Sequence, residues 1–117
     1  MTPAKIKAEI SVADLEKLDI RVGTIVAVDE VARSRKLMKL SVDLGDHVRS
    51  VLAGIRQERS DPQALVGQQA LFVVNLPARK MAGELSQGML FDIGYTDGLT
   101  PVLAVPEAPI ANGARAG

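Results

Sequence analysis

The segment from Leu37 to Leu44 constrains this chain more than any other. Met38, Leu40, Val42 and Leu44 alternate with Lys39, Ser41 and Asp43. That is the two-residue period of a strand with one face in a core and the other in water. Gly45-Asp46 follows as a two-residue hairpin turn, and His47 to Ala53 reads as the returning strand. A lone hairpin is not stable, so its apolar face needs further strands. Ile20 to Val31 offers a long one rich in Val and Ile, and Gly23 inside it predicts a bulge or sharp bend. Ala70 to Asn75 is a continuous apolar run, hence a central strand. Gly88 to Ile93 and Val102 to Val105 add two more, with a turn from Tyr95 to Gly98 between them.

Helical signals are short. Ser11 can cap a helix running to Leu18, with Asp14 at the capping-box position. Asp61 as cap and Pro62 at the first helical position start a second one, which Gly67 ends. Ala32 to Lys36 is a polar, basic connection, and Leu76 to Gln87 is a long polar one holding Pro77 and Gly83. The tail from Pro106 is expected to be irregular. The order predicts an all-β fold, a five-stranded Greek-key barrel of the OB type. An SH3-like barrel is the alternative; the short helix between the third and fourth strands favours OB. Nothing repeats, and 117 residues suit one domain, with a core at about 11–105 and a C-terminal extension at 106–117.

The residue inventory removes several function classes. Without cysteine there are no disulfides, thiolate metal sites or cysteine nucleophiles. One histidine, His47, provides neither a His-based zinc site nor an imidazole pair, and it reads as a solvated turn residue. No phosphate loop and no G-x-G-x-x-G is present. The stretch from Gly83 to Gly88 imitates a nucleophile elbow, with two residues rather than one before Ser86. Asp29 and Glu30 point apart on a strand, and no calcium-loop spacing surrounds Asp43 and Asp46. No enzyme, cofactor or metal is therefore expected. No apolar run nears membrane-span length and no signal-peptide core opens the chain, so a cytoplasmic protein without a membrane partner is expected.

Charge points to binding instead. The net charge is zero, yet residues 31–60 hold seven basic and three acidic residues. OB barrels bind ligands on strands two and three, between the loops joining strands 1–2 and 4–5. Those loops carry Arg33, Arg35 and Lys36, then Arg79 and Lys80, and Lys39 lies on the polar side of strand two. Such cations suit phosphate oxygens, while Asn75, Ser86 and Gln87 suit sugar or base edges. The aromatic residues are Phe72, Phe91 and Tyr95. With both phenylalanines expected in the core, serial base stacking is unavailable, and a folded RNA recognised by shape is the better fit.

These residues also carry a resemblance. Asp19-Ile20-Arg21-Val22-Gly23-Thr24-Ile25 resembles the opening of the tRNA-binding domain found in small stand-alone proteins and at the C-terminus of some methionyl-tRNA synthetases. Asn75-Leu76, the run Ala78 to Gly83, and Ser86-Gln87-Gly88-Met89 resemble its second half; Asp61-Pro62 through Val66-Gly67 match its short helix. The tail, with Pro109, Asn112 and Gly113, is similar to its end, so the resemblance covers roughly residues 10–115. The compact length resembles CsaA-type dimers, export-related chaperones that also bind tRNA. The resemblance implies an OB fold, tRNA binding by shape and a homodimer built with the terminal extensions. By position it implies Arg35, Lys36, Asn75, Arg79, Lys80, Ser86 and Met89 as contacts. Partners to expect are tRNA, then an aminoacyl-tRNA synthetase. The alternative function is a CsaA-like chaperone binding unfolded polypeptides, on a loop around Met81 and an apolar tail. The chain departs from the family where Ala78 separates Pro77 from Arg79 and where Ala82 replaces a common basic residue.

Overall fold

A computed structural model describes residues 2–117. The chain runs through a single helical turn α1 (Val12–Leu15) into β1 (Ile20–Glu30), β2 (Met38–Asp43) and β3 (Val48–Ala53). A one-turn 3-10 helix (Pro62–Leu65) leads to β4 (Gln69–Val73). Then come β5 (Arg79–Met81), β6 (Glu84–Ser86), β7 (Met89–Leu90), β8 (Asp92–Ile93), β9 (Val102–Leu103) and β10 (Arg115–Ala116). The fold is the OB-type barrel the sequence predicts, with the main sheet ordered β3-β2-β1-β4-β7 and β10 added on β1.

The length of β1 creates the curl. Its first half pairs with β4, from Ile20 opposite Val73 to Thr24 opposite Gln69. Its second half pairs with β2, from Thr24 opposite Asp43 to Glu30 opposite Met38. The predicted bulge lies at Val26, where the register shifts between Ile25 and Ala27, and not at Gly23. Gly23 serves close approach instead: a Cβ there would sit 2.4 Å from Val42 Cγ1, in the crowded inside of the curl. Phe72, Ile25, Leu40, Ile55, Val31, Val42 and Val51 fill the interior. Side chains help to close the barrel. Leu52 N–H donates to Ser86 Oγ at 3.0 Å, and that hydroxyl donates to Gly88 O at 3.0 Å. Gln87 N–H donates to Ser50 O at 2.8 Å, and Ser50 N–H donates back to Gln87 Oε1 at 3.1 Å.

Ser11 caps α1 as expected, accepting from Asp14 N–H at 3.1 Å. Asp61 does not cap: its side chain makes no such bond, and the turn after Pro62 is 3-10 rather than α. The long connection from Leu76 to Gln87 is not all loop, because β5 and β6 form a hairpin within it. Its turn residues Ala82 and Gly83 both have positive φ, 50° and 82°, the handedness of the primed turns that match strand twist. Alanine rarely adopts that conformation, and asparagine does so far more readily. Ala82→Asn is expected to raise the melting temperature by about 2–4 °C, on roughly 0.5–1 kcal/mol of relieved strain; calorimetry checks it.

Two further expectations change. The strand expected from Gly88 to Ile93 breaks at Phe91, since β7 pairs with β4 and β8 with β9. Phe91 is consequently 42% exposed and not a core residue. The tail is ordered by pairing: β10 lies against Ile20 and Arg21, and Val22 exchanges backbone bonds with Gly113 and Ala114 at 2.8 and 2.9 Å. Asn112 Oδ1 accepts from Thr24 Oγ1, and Gln69 holds the backbone of Ile110.

Asp19 ties the two ends of the chain together. Its carboxylate accepts from Arg21 Nε and Nη2 at 2.9 and 3.0 Å, and Arg115 Nε of β10 lies 3.7 Å away. The Arg21 hydrogen bonds hold its pKa below the ordinary 3.8. A depressed folded-state pKa contributes stability above the unfolded value, and that stability is lost as pH falls through the folded value. Asp19→Asn is expected to melt a few degrees lower than the parent at pH 7. The difference should shrink as pH falls below 3.8 and disappear once the folded-state carboxyl is itself protonated, in melts recorded across pH.

Candidate nucleic-acid interface

The loop between β1 and β2 is built by local bonds. Ser34 Oγ accepts from Lys36 N–H at 3.2 Å and Leu37 N–H at 2.9 Å, closing a tight turn. Arg56 braces it from the far side of β3, donating to Ser34 O at 2.9 Å and to Glu30 Oε1 at 3.1 Å, while its N–H donates to Lys36 O. Sequence reading passed over Arg56, because it lies outside both predicted loops. The brace leaves the Lys36 stem lying over Gly54, where its Cε is 3.5 Å from the position a Cβ would take. Arg33 reaches the tip of the β5–β6 hairpin, its Nη1 3.3 Å from the Cβ position of Gly83.

The hairpin sorts its residues by alternation. Arg79 pairs with Ser86, Lys80 with Leu85 and Met81 with Glu84. Arg79, Met81 and Ser86 line a groove of about 680 Å³, as does Lys36. Lys80 and Leu85 take the opposite face and are exposed. Arg79 and Lys80, neighbours in sequence, thus point to different sides. Leu76, Pro77, Met89, Phe91 and Tyr95 complete the groove's apolar wall. Met89 is 47% and Tyr95 58% exposed. Phe91 and Tyr95 were not among the expected site residues. The signal was there: an aromatic pair flanking Gly94, four residues apart, on the segment next to Met89.

The other expected residues divide. Among the described residues, no carboxylate pairs with Arg33, Arg35, Lys36, Arg79 or Lys80. Lys39 differs, with Nζ 3.8 Å from Glu84 Oε1, so part of its charge is answered within the fold. Asn75 is committed to structure: its Oδ1 accepts from Asp19 N–H at 2.9 Å and its Nδ2 donates to Lys17 O at 2.7 Å. Gln87 is held at β3, and Ser86 is buried with its hydroxyl bonded at both ends. Arg49, also outside the expected set, donates to Val74 O at 2.7 Å and to Gln87 O at 3.3 Å. His47 is exposed and bonded to Asp46 and Arg49, and is not among the residues that line the groove. It lowers the pKa of Asp46 by hydrogen bonding.

The described residues therefore form an OB-type barrel with a groove lined by apolar, cationic and acidic side chains. A family model described as a putative tRNA binding domain matches residues 20–115. The chain belongs to that family. It is 46% identical over 92 residues to the methionine–tRNA ligase of Chlorobium chlorochromatii, 79% of this chain and 13% of that one. It is 38% identical over 97 residues to the Methanocaldococcus jannaschii ligase, 83% of this chain and 15% of that one. The chain thus spans about one-seventh of the length of these relatives. Among solved structures it is similar to a methionyl-tRNA-synthetase-related protein from Pyrococcus horikoshii, at 32% identity and TM-score 0.86, covering 95% of this chain and all of that one. It is also similar to the chaperone CsaA of Bacillus anthracis, at 29% identity and TM-score 0.82, covering 94% and 100%.

Proposed function

We propose that this chain binds folded tRNA and has no catalytic activity of its own. The observation that carries the reading is that Lys36 and Arg79 line the groove without a carboxylate partner, with Arg33, Arg35 and Lys80 beside them in the chain and equally unpaired, in a member of the tRNA-binding-domain family. Lys36 and Arg79 would meet phosphate at the groove, Arg33 at the hairpin tip and Arg35 beside them in the loop, with Lys80 reaching outward. Asn75, Ser86 and Gln87 hold this surface in shape, and Lys39 adds a partly answered charge. Phosphate contacts fix orientation, while their spacing on a rigid barrel selects a folded shape. The work belongs to the cytoplasm, beside an aminoacyl-tRNA synthetase that the domain helps to hold its substrate.

A homodimer supports the reading by doubling a modest basic surface. Val12 and Leu15 of α1 are 71% and 57% exposed, and Val102, Val105 and Ile110 of the C-terminal part are each more than half exposed. Such apolar surface on both terminal segments suits a second copy. The second reading, a chaperone for unfolded chains, is favoured by the Met81, Met89 and Leu76 lining of the groove. A tRNA titration at rising salt, run beside sedimentation, tests the proposal. Affinity should fall with a log–log slope of several units, with one tRNA per two chains. A slope near zero, with an aggregating client protected equally well at all salts, would replace it by the chaperone reading.

A further inference from the structure

We infer that the groove between β3 and the β5–β6 hairpin takes a single unpaired RNA base that carries an exocyclic amino group. The inference deepens the tRNA reading and rests on it. Three features of the groove lead to it. Phe91 and Tyr95 stand on its wall, 42% and 58% exposed, in a chain that hides Phe72 completely. An exposed π-face beside an apolar wall is a stacking platform, and every base has a face to match. The volume, about 680 Å³, lies in the range of small-ligand sites.

The charges are sorted in a way that places base and backbone. Lys36 and Arg79 both line the groove, and neither is paired with a carboxylate. Glu58 and Asp92 line the same groove. Asp92 has no cation partner among the described residues and disfavours a phosphate inside the groove, so the phosphates belong to the two cations and the base enters. Asp92 is then the acceptor available to the base edge. Glu58 Oε2 is hidden from solvent and ion-paired with Arg59 Nη1 at 3.6 Å, so its charge is answered within the fold. An acceptor-lined pocket favours an amino group: cytosine presents a donor where uracil presents a carbonyl oxygen. Unpaired, splayed bases are what RNA offers at its loops and ends.

The chain supplies its own reporter, because Tyr95 is its one tyrosine and it has no tryptophan. Tyrosine emission of the full chain is followed while adding a cytidine hexamer, a uridine hexamer, a blunt RNA duplex or folded tRNA. The cytidine hexamer and folded tRNA should quench Tyr95, and the duplex should not. The cytidine hexamer should bind about 10-fold tighter than the uridine hexamer. Phe91→Leu should weaken the cytidine hexamer about 10-fold without changing the melting temperature. Asp92→Asn should erase the cytidine preference. If folded tRNA binds with no change in Tyr95 emission and Phe91→Leu binds it equally well, the groove inference falls and the tRNA reading stands. If folded tRNA does not bind but the cytidine hexamer quenches Tyr95 as expected, the tRNA reading falls and the base pocket stands. Equal affinity for both hexamers overturns the amino-group preference. Quenching by an unfolded polypeptide and by no RNA overturns the inference in favour of a peptide groove.

Discussion

The double replacement Lys36→Ala, Arg79→Ala is expected to weaken tRNA binding about 100-fold and leave the melting temperature within ~2 °C. Both side chains line the groove, one from the β1–β2 loop and one from β5, and neither has a carboxylate partner to lose. Removing them costs the fold little, since unpaired surface charges contribute little to stability. Removing a charge-assisted contact to phosphate costs about 1.5–3 kcal/mol when the contact is good, and about half that at an exposed rim. Two rim contacts at roughly 1.4 kcal/mol each make the 100-fold. The salt dependence changes as well, with the log–log slope dropping by about 1.5–2 units for two lost phosphate contacts. Lys80→Ala is expected to cost several-fold less, because β5 turns that side chain to the other face of the hairpin. Filter binding of labelled tRNA at several salt concentrations reads all three. Full affinity in the double variant would remove the groove rim from the interface.

Ser86→Ala is expected to destabilise the fold by about 2–3 kcal/mol and lower the melting temperature by roughly 8–12 °C. Ser86 is 4% exposed, and its hydroxyl accepts from Leu52 N–H and donates to Gly88 O. Alanine leaves both backbone groups buried without a partner, which costs more than the mean net value of a hydrogen bond. The place matters too, for these bonds join β3 to the segment that closes the barrel. Below its melting point the variant should bind tRNA within about threefold of the parent, because the hydroxyl is buried and its proton is committed to Gly88 O. Thermal melts and binding at low temperature separate the two roles. An unchanged melting temperature with lost affinity would return Ser86 to the list of RNA contacts.

The central barrel was legible because its strands bury one face or two. Met38, Leu40 and Val42 alternate with outward polar residues, and Ala70, Phe72 and Val73 of β4 are all buried. Periodicity reads such burial directly. The hairpin of β5 and β6 was not legible, since its strands are three residues each and its turn uses Ala82, a residue that does not announce a left-handed conformation. Strand β10 carries no pattern at all; Arg115 and Ala116 are ordered by β1 and by the neighbouring Val22 bonds. Phe91 misled because an apolar run predicts burial, whereas the change of partner from β4 to β9 turns that residue outward.

The same contrast holds at the site. The basic loops were visible as composition, and the fold places both beside one groove. Which side chains remain free was decided by contacts between distant residues. Glu84 answers Lys39, and the backbones of Asp19 and Lys17 occupy Asn75. Sequence separations of 45 to 58 residues leave no local signal of such pairs.

Recognition of tRNA by its folded shape is read out by competition. Labelled folded tRNA is bound to the protein at moderate salt, then challenged with unlabelled folded tRNA, heat-unfolded tRNA and duplex DNA of matched charge. Displacement by folded tRNA alone is expected at stoichiometric concentrations, the others needing at least tenfold more. Equal displacement by all three would show a sequence- and shape-blind polyanion surface and overturn shape-specific tRNA binding.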